Sequence, residues 1–214
     1  MNLEPDQRSF SPRTYLFVPG DRPERFGTAW ESSADAVILD LEDAVPPDHK
    51  PGARQALAQW LSAARPVWIR INAEDTAWFL DDLELLCHEG VAGVLVPKAE
   101  ALPPAVLDLA VSHGVPVMPI VETAIGMRNA ERLATSRGVA RLAFGAIDFQ
   151  VDMGIEGDDD ALLFFRSTLC PGVTSGRAAS SGGRCHRGGF RCRATSGMTP
   201  SAARQSSWPL GHHD

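Results

Sequence analysis

The sequence opens without the apolar run that a signal peptide or a membrane-spanning helix requires, since Met1 to Pro12 is polar with scattered charge. A cytoplasmic protein with no membrane partner is the expectation. Cysteine is scarce as well. Cys87, Cys170, Cys185 and Cys192 are too few and too scattered in 214 residues for a disulfide framework. Reduced thiols are expected, with no redox chemistry. Acid is nearly missing from one end: residues 169 to 214 carry six arginines (Arg177, Arg184, Arg187, Arg191, Arg193, Arg204) against Asp214 alone. The net charge of −7 therefore conceals about −12 in the remainder, and so acidic a body repels nucleic acid. No nucleic-acid partner is expected. Zinc-finger spacing is absent too, because Cys185-His186, Cys192 and His212-His213 offer no pair at the right separation.

What is present is a chain 44% hydrophobic and 22% charged, enough to bury one sizeable core. Short apolar runs at Tyr15 to Val18, Ala36 to Leu41, Val67 to Ile71, Gly93 to Val96, Val115 to Val121 and Leu142 to Phe144 read as strands. Helix-length segments lie between them. Pro23 to Ser33 opens on a proline suited to a first helical turn, and Gly126 to Ser136 spaces Met127, Ala130, Leu133 and Ala134 along one face. This alternation predicts right-handed parallel β/α units, and runs such as Ala-Val-Ile-Leu fit strands covered on both faces.

Almost every strand ends in polar or glycine-rich residues: Gly20, Asp21 and Arg22; Asp40, Glu42 and Asp43; Arg70 and Asn72; Lys98; Glu122 and Thr123; Gly145 and Asp148. In a closed parallel barrel those positions converge on one rim, where barrel enzymes hold their chemistry. An open doubly wound sheet would use only the loops at its switch point, so the barrel is favoured. The fold class expected is α/β, a TIM-type (β/α)8 barrel that stops after six units. Its parts are a polar arm at residues 1 to 12, the barrel domain at 13 to 169, and a Gly/Ser/Arg-rich tail at 170 to 214. The tail shows no period of two or 3.6 and reads as disordered or as the product of a slipped coding frame near Cys170.

Two rim acids, Glu122 and Asp148, end neighbouring strands and could share a hard cation such as Mg2+, although each alone reads equally as a loop acid or a helix cap. Asp40 and Glu42 fall on one side of their strand by alternation, and crowded carboxylates raise at least one pKa toward that of a general base. Asp43 either joins them, caps the next helix or pairs with Lys50. Arg70 ends an apolar strand, where a guanidinium can grip a carboxylate with two parallel hydrogen bonds. Lys98 suits either a Schiff base or an ion pair; its acidic neighbours and Pro97 favour the pair. Arg22 and the amides at Gly20 and Asp21 are candidates for a phosphate or carboxylate.

In order along the chain stand Phe17-Val-Pro-Gly-Asp-Arg-Pro-Glu-Arg-Phe26, Ala34-Asp-Ala-Val-Ile-Leu-Asp-Leu-Glu-Asp-Ala-Val45, Arg70-Ile-Asn72, Val96-Pro-Lys98, Val121-Glu-Thr-Ala124 and Phe144-Gly-Ala-Ile-Asp-Phe149. This ordered set resembles the citrate lyase β-subunit group of the HpcH/HpaI aldolase superfamily over residues 13 to 169. The resemblance implies a (β/α)8 barrel that binds Mg2+ through Glu122 and Asp148, and that assembles as homo-oligomers, trimers or larger. It also implies carbon–carbon lyase activity on acyl-CoA or acyl-carrier thioesters of the citryl, malyl or citramalyl type, releasing a 2-oxo acid. The expected roles are Arg70 as carboxylate clamp and catalytic group, with Asp40 and Glu42 as base; Gly20, Arg22 and Lys98 contact substrate. An aldolase of free 2-oxo acids and an inactive shortened member are the rival expectations.

Overall fold

The computed structural model describes residues 12–157 and 160–175. Six strands, β1 (Tyr15–Pro19), β2 (Ala36–Asp40), β3 (Val67–Arg70), β4 (Val91–Val96), β5 (Val117–Val121) and β6 (Ala143–Phe144), pair in parallel. Their order across the sheet is β1-β2-β3-β4-β5-β6. The intervening helices are α1 (Phe26–Trp30), α2 (Lys50–Trp60), α3 (Phe79–Leu83), α4 (Pro104–His113), α5 (Ala124–Arg128) and α6 (Ala130–Thr135), and α7 (Ala146–Met153) and α8 (Leu163–Ser175) follow β6. Among the described residues no helix is long and apolar enough to cross a membrane.

Two observations separate a curling, singly wound sheet from a doubly wound one. The strand order never reverses, so there is no switch point. The two faces also bury different things. Val37, Leu39, Val67, Ile69, Val94 and Val96 pack with Ala53 and Leu57 of α2 and Val106 and Ala110 of α4. On the other face Ile38, Trp68, Leu95, Met118 and Ile120 form a separate cluster with Tyr15, Ala36, Ala92 and Ala143. Every member of that cluster is a strand residue. A face covered by no helix and yet buried can only pack against itself, which requires the sheet to curl into a half-barrel.

Gly93 marks the tightest point of this inner layer, because a Cβ built there would overlap the six-membered ring of Trp68 on the neighbouring strand. Gly93→Ala is expected to cost about 1–3 kcal/mol by overpacking, seen as a lower melting temperature in circular dichroism. An unchanged melt would show that Trp68 has room to withdraw.

Local chemistry explains where elements begin and end. α4 and α7 stop at Gly114 and Gly154, both with left-handed φ near +60° to +70°. The single helix expected over Gly126 to Ser136 is two helices, α5 and α6, broken at Asn129. The side-chain Nδ2 of Asn129 donates to the carbonyl of Glu100 at 2.8 Å, and this tertiary bond offsets the turn lost at the break. Pro23 to Ser33 likewise resolves into a 3-10 turn at Pro23–Arg25 followed by α1, which ends at Trp30.

The boundary expected after Leu169 falls inside α8, which continues to Ser175 despite Pro171 and Gly172. Leu169 is buried beside Ala130 and Leu133 of α6, a contact that local periodicity does not reveal. The arm at residues 1 to 11 and the tail from 176 lie outside the described residues.

Candidate active site

The rim is built on the apolar inner layer by strand parity. Ile38 and Trp68 lie in that layer, so Asp40 and Arg70, two residues further on, face the same side one step higher. Asp40 and Arg70 are also register partners across β2 and β3. Nε of Arg70 donates to Oδ1 of Asp40 at 2.7 Å and Nη2 to Oδ2 at 2.5 Å. This is the fork geometry that guanidinium and carboxylate share. Asp40 is only 1% exposed and takes a further hydrogen bond from the amide of Glu42 at 2.9 Å.

Nη1 of Arg70 turns the other way, 2.9 Å from Oε2 of Glu42 and 4.0 Å from Asp43. No well-angled hydrogen bond reaches that Oε2, so the contact is one of charge and leaves acceptor capacity on the buried Glu42. Burial pushes the Glu42 carboxyl above its ordinary pKa, against the pull of Arg70, and the charge of Asp43 raises it further. Burial alone would lower the pKa of Arg70, but the hydrogen bonds and charge of Asp40, then Glu42 and Asp43, more than reverse this. Phe17 lies beneath the guanidinium, 5.3 Å from its carbon to the ring centre.

The fork expected to hold a substrate carboxylate thus holds Asp40. Only the Nη1 side of Arg70 remains for a ligand. Gly20 is revised likewise: its amide donates to the carbonyl of Asp40 at 2.7 Å and is engaged within the sheet. A Cβ at Gly20 would come within 2.8 Å of that same carbonyl, so this glycine serves close strand approach. Arg22 is largely exposed and 3.8 Å from Asp21, which also meets Nδ1 of His49 at 2.9 Å.

Glu122 follows β5 on the inner parity of Met118 and Ile120 and is 3% exposed. Its Oε1 accepts the backbone amide of Lys98 at 2.6 Å. Lys98 supplies that amide from a left-handed backbone, φ +48°, a conformation that non-glycine residues adopt at a cost of about 1–3 kcal/mol. Its Nζ lies 3.5 Å from Oε1 of Glu42, and although burial lowers its pKa, the charges of Glu42, Asp43 and Glu122 and the hydrogen bond to Glu42 together raise it above the ordinary value. A lysine held protonated this way is a poor Schiff-base nucleophile.

Asp148 stands half-buried in the first turn of α7, after β6. Burial first, and then the charges of Asp148 and Glu42, push Glu122 up to about 7, partly offset by the Lys98 amide. Two acids that repel each other at a buried rim are a donor set that a divalent cation relieves. Among the described residues no three His, Cys, Asp or Glu side chains gather as a metal cage. The set therefore fits magnesium, which takes few carboxylates and leaves positions for water and substrate oxygens, and not a closed zinc site.

Gly145 sits against this acid. A Cβ there would overlap Oε2 of Glu122 and lie 2.7 Å from its Cβ. Gly145→Ala is expected to swing Glu122 away from Asp148 and weaken Mg2+ binding by about 10-fold or more, measured by titration calorimetry. Unchanged affinity would place the ion elsewhere.

Residues 13–180 match the model of the HpcH/HpaI aldolase/citrate lyase family. The chain belongs to that family. A citrate lyase subunit beta-like protein of Mycobacterium tuberculosis is 40% identical over 140 residues, 65% of this chain and 50% of that protein. A (3S)-malyl-CoA thioesterase of Cereibacter sphaeroides is 32% identical over 154 residues, 70% of this chain and 54% of that one. The chain spans about half the length of the curated relatives it matches. Among solved structures, the M. tuberculosis citrate lyase beta subunit complexed with oxaloacetate and magnesium aligns with TM-score 0.64 and 34% identity, over 76% of this chain and 74% of that chain. The M. tuberculosis CitE complex with magnesium, acetoacetate and coenzyme A aligns with TM-score 0.65 and 36% identity, over 76% and 62%. The family fold is therefore present here as six parallel strands of a TIM-like barrel with their helices.

Sequence reasoning missed Lys50 as a buried site residue, Phe17 beneath Arg70, and Gly145 against Glu122. The Phe-Val-Pro-Gly segment was visible, but nothing local says that its phenylalanine meets an arginine 53 positions away.

Proposed function

We propose that this chain is the barrel part of a magnesium-dependent carbon–carbon lyase that splits a malyl-type 3-hydroxyacyl thioester into a 2-oxo acid and an acyl thioester. The observation that carries the reading is one rim holding both an arginine anchored on Asp40 and Glu42 and a repelling Glu122 and Asp148 pair. Support comes also from relatives named for malyl-CoA chemistry and from neighbours solved with magnesium, oxaloacetate or coenzyme A. We place it in the cytoplasm, as a homo-oligomer.

Glu122 and Asp148 would hold the ion. Bound magnesium supplies Lewis-acid withdrawal of charge from the substrate oxygens. The Nη1 edge of Arg70 orients the carboxylate that becomes part of the oxo acid, while Asp40 keeps the guanidinium from rotating. Glu42, whose carboxyl burial makes more basic than an ordinary glutamate, takes the proton of the 3-hydroxyl. The carbon–carbon bond breaks as the carbonyl forms, and the proton that Glu42 has taken is returned to the carbon of the departing thioester enolate, which restores the Glu42 carboxylate. Lys98, protonated and exposed beside Glu42, offers its charge to the thioester oxygen as the enolate develops.

Purified chain with Mg2+ and malyl-CoA is expected to release glyoxylate and acetyl-CoA in equal amounts. If no oxo acid appears from malyl-, citramalyl- or citryl-CoA, the assignment is wrong; cleavage of a free 2-oxo acid alone would make the chain an aldolase instead.

A further inference from the structure

Behind the acidic rim runs a buried polar relay with no place in the chemistry above. Nε of Arg54 on α2 donates to Asp82 of α3 at 2.8 Å. Asp82 accepts both the backbone amide and the side-chain amide of Asn72, at 2.9 and 2.6 Å. The other side of Asn72, its Oδ1, takes Nζ of Lys50 at 2.6 Å. The same Nζ reaches the carbonyls of Leu41 and Glu42, each at 2.8 Å. Lys50 is 6% exposed and begins α2, with the Trp78 ring centre 5.0 Å from its nitrogen.

An ammonium has three donors and no acceptor. Here all three are matched by oxygens, and two of those are the backbone carbonyls that flank the Glu42 peptide. Glu42 projects from this same stretch toward Arg70 and Lys98. Burial lowers the pKa of Lys50 below its ordinary value, and the charges of the acids around it, Glu42 first and then Asp40, Asp82 and Asp43, offset this in part. We infer that Lys50 is a positioning residue: its three-way grip on Leu41, Glu42 and Asn72 shapes the loop after β2 so that the Glu42 carboxylate faces the rim.

The inference rests on Glu42 acting as proposed, so its test carries two separate readouts, hydrogen exchange and turnover. In Lys50→Met, hydrogen–deuterium exchange is expected to rise about 10-fold or more in peptides covering residues 40 to 45 and to stay unchanged in β4 and β5, because the loop alone loses its anchor. With malyl-CoA as substrate, kcat is expected to fall about 100-fold, the scale of a misplaced base, with KM within about threefold and Mg2+ affinity unaltered. A uniform rise in exchange, or a mobile loop with unchanged kcat, would reduce Lys50 to a structural residue. Lys50→Arg keeps the charge but cannot place three donors on the same oxygens, so it is expected to raise exchange in residues 40 to 45 as well. It serves if the methionine variant does not fold, and native exchange there overturns the inference. Should the unaltered chain cleave no thioester, the proposed function falls, and the exchange result still decides whether Lys50 holds the loop.

Discussion

An Arg70→Met variant is expected to lose about 3–5 kcal/mol of folding stability at neutral pH and all measurable thioester cleavage, since removing one partner strands buried charges. Asp40 would lose both arms of its fork, at 1% exposure, and Glu42 would keep only Lys98. The pH dependence of the loss has a definite sign. Glu42 is already held above its ordinary pKa by burial while Arg70 pulls it down. Without Arg70 its folded pKa rises further above the unfolded value. A carboxyl shifted in that direction favours the fold below the unfolded pKa and ceases to as pH climbs through the folded one. Urea unfolding should therefore show the two proteins closer in stability near pH 5 than near pH 8. Equal gaps at both would mean that the carboxylates find other partners. Arg70→Lys separates charge from geometry: a point charge cannot reproduce the fork, so most of the activity loss is expected to persist with less of the stability loss.

Glu122→Gln is expected to weaken Mg2+ binding by about 100-fold or more, since it removes one of the two carboxylates proposed to hold the ion and no group of three ligating side chains gathers among the described residues. Calorimetric titration reads this directly, and near-unaltered binding would remove Glu122 from the site. The amide can still accept the Lys98 backbone N–H, so the rim should hold its shape. Stability in chelator should change in the opposite sense to affinity. Burial and Asp148 set the folded pKa of Glu122 at about 7, above its unfolded value. The unaltered protein then loses stability as pH rises through about 7, whereas the glutamine variant does not, by an amount on the order of a few kcal/mol. A variant less stable than the parent at pH 8 in chelator would show that the carboxylate is favourably placed without a cation.

How far the site could be read from residues alone differs from one side chain to the next. The rim position of Asp40, Arg70 and Glu122 was legible because strand parity and strand ends are local: each sits at a run's C-terminal end, on the side of an inner-layer residue two positions back. Their partners were harder. Arg70 looked free to clamp a substrate, yet its register with Asp40 across β2 and β3 gives the fork to the protein itself. Gly20 looked like a binding amide, yet its neighbour in space is the Asp40 carbonyl. Lys50 was visible only as a possible mate for Asp43, whereas it binds two carbonyls and Asn72 instead.

From the residues in order come the β/α alternation, the doubly buried strands and the polar strand ends, because hydrophobic period and strand termination are set by neighbours a few positions apart. The inner layer that contains only strand residues, the break at Asn129, the extension of α8 past Leu169 and the three-way hold on Lys50 were decided by packing. Each joins segments that are distant in sequence, up to the 53 positions between Tyr15 and Trp68 in the inner layer, and which oxygen a buried donor meets depends on how a helix settles on a curved sheet. That geometry has no local signature.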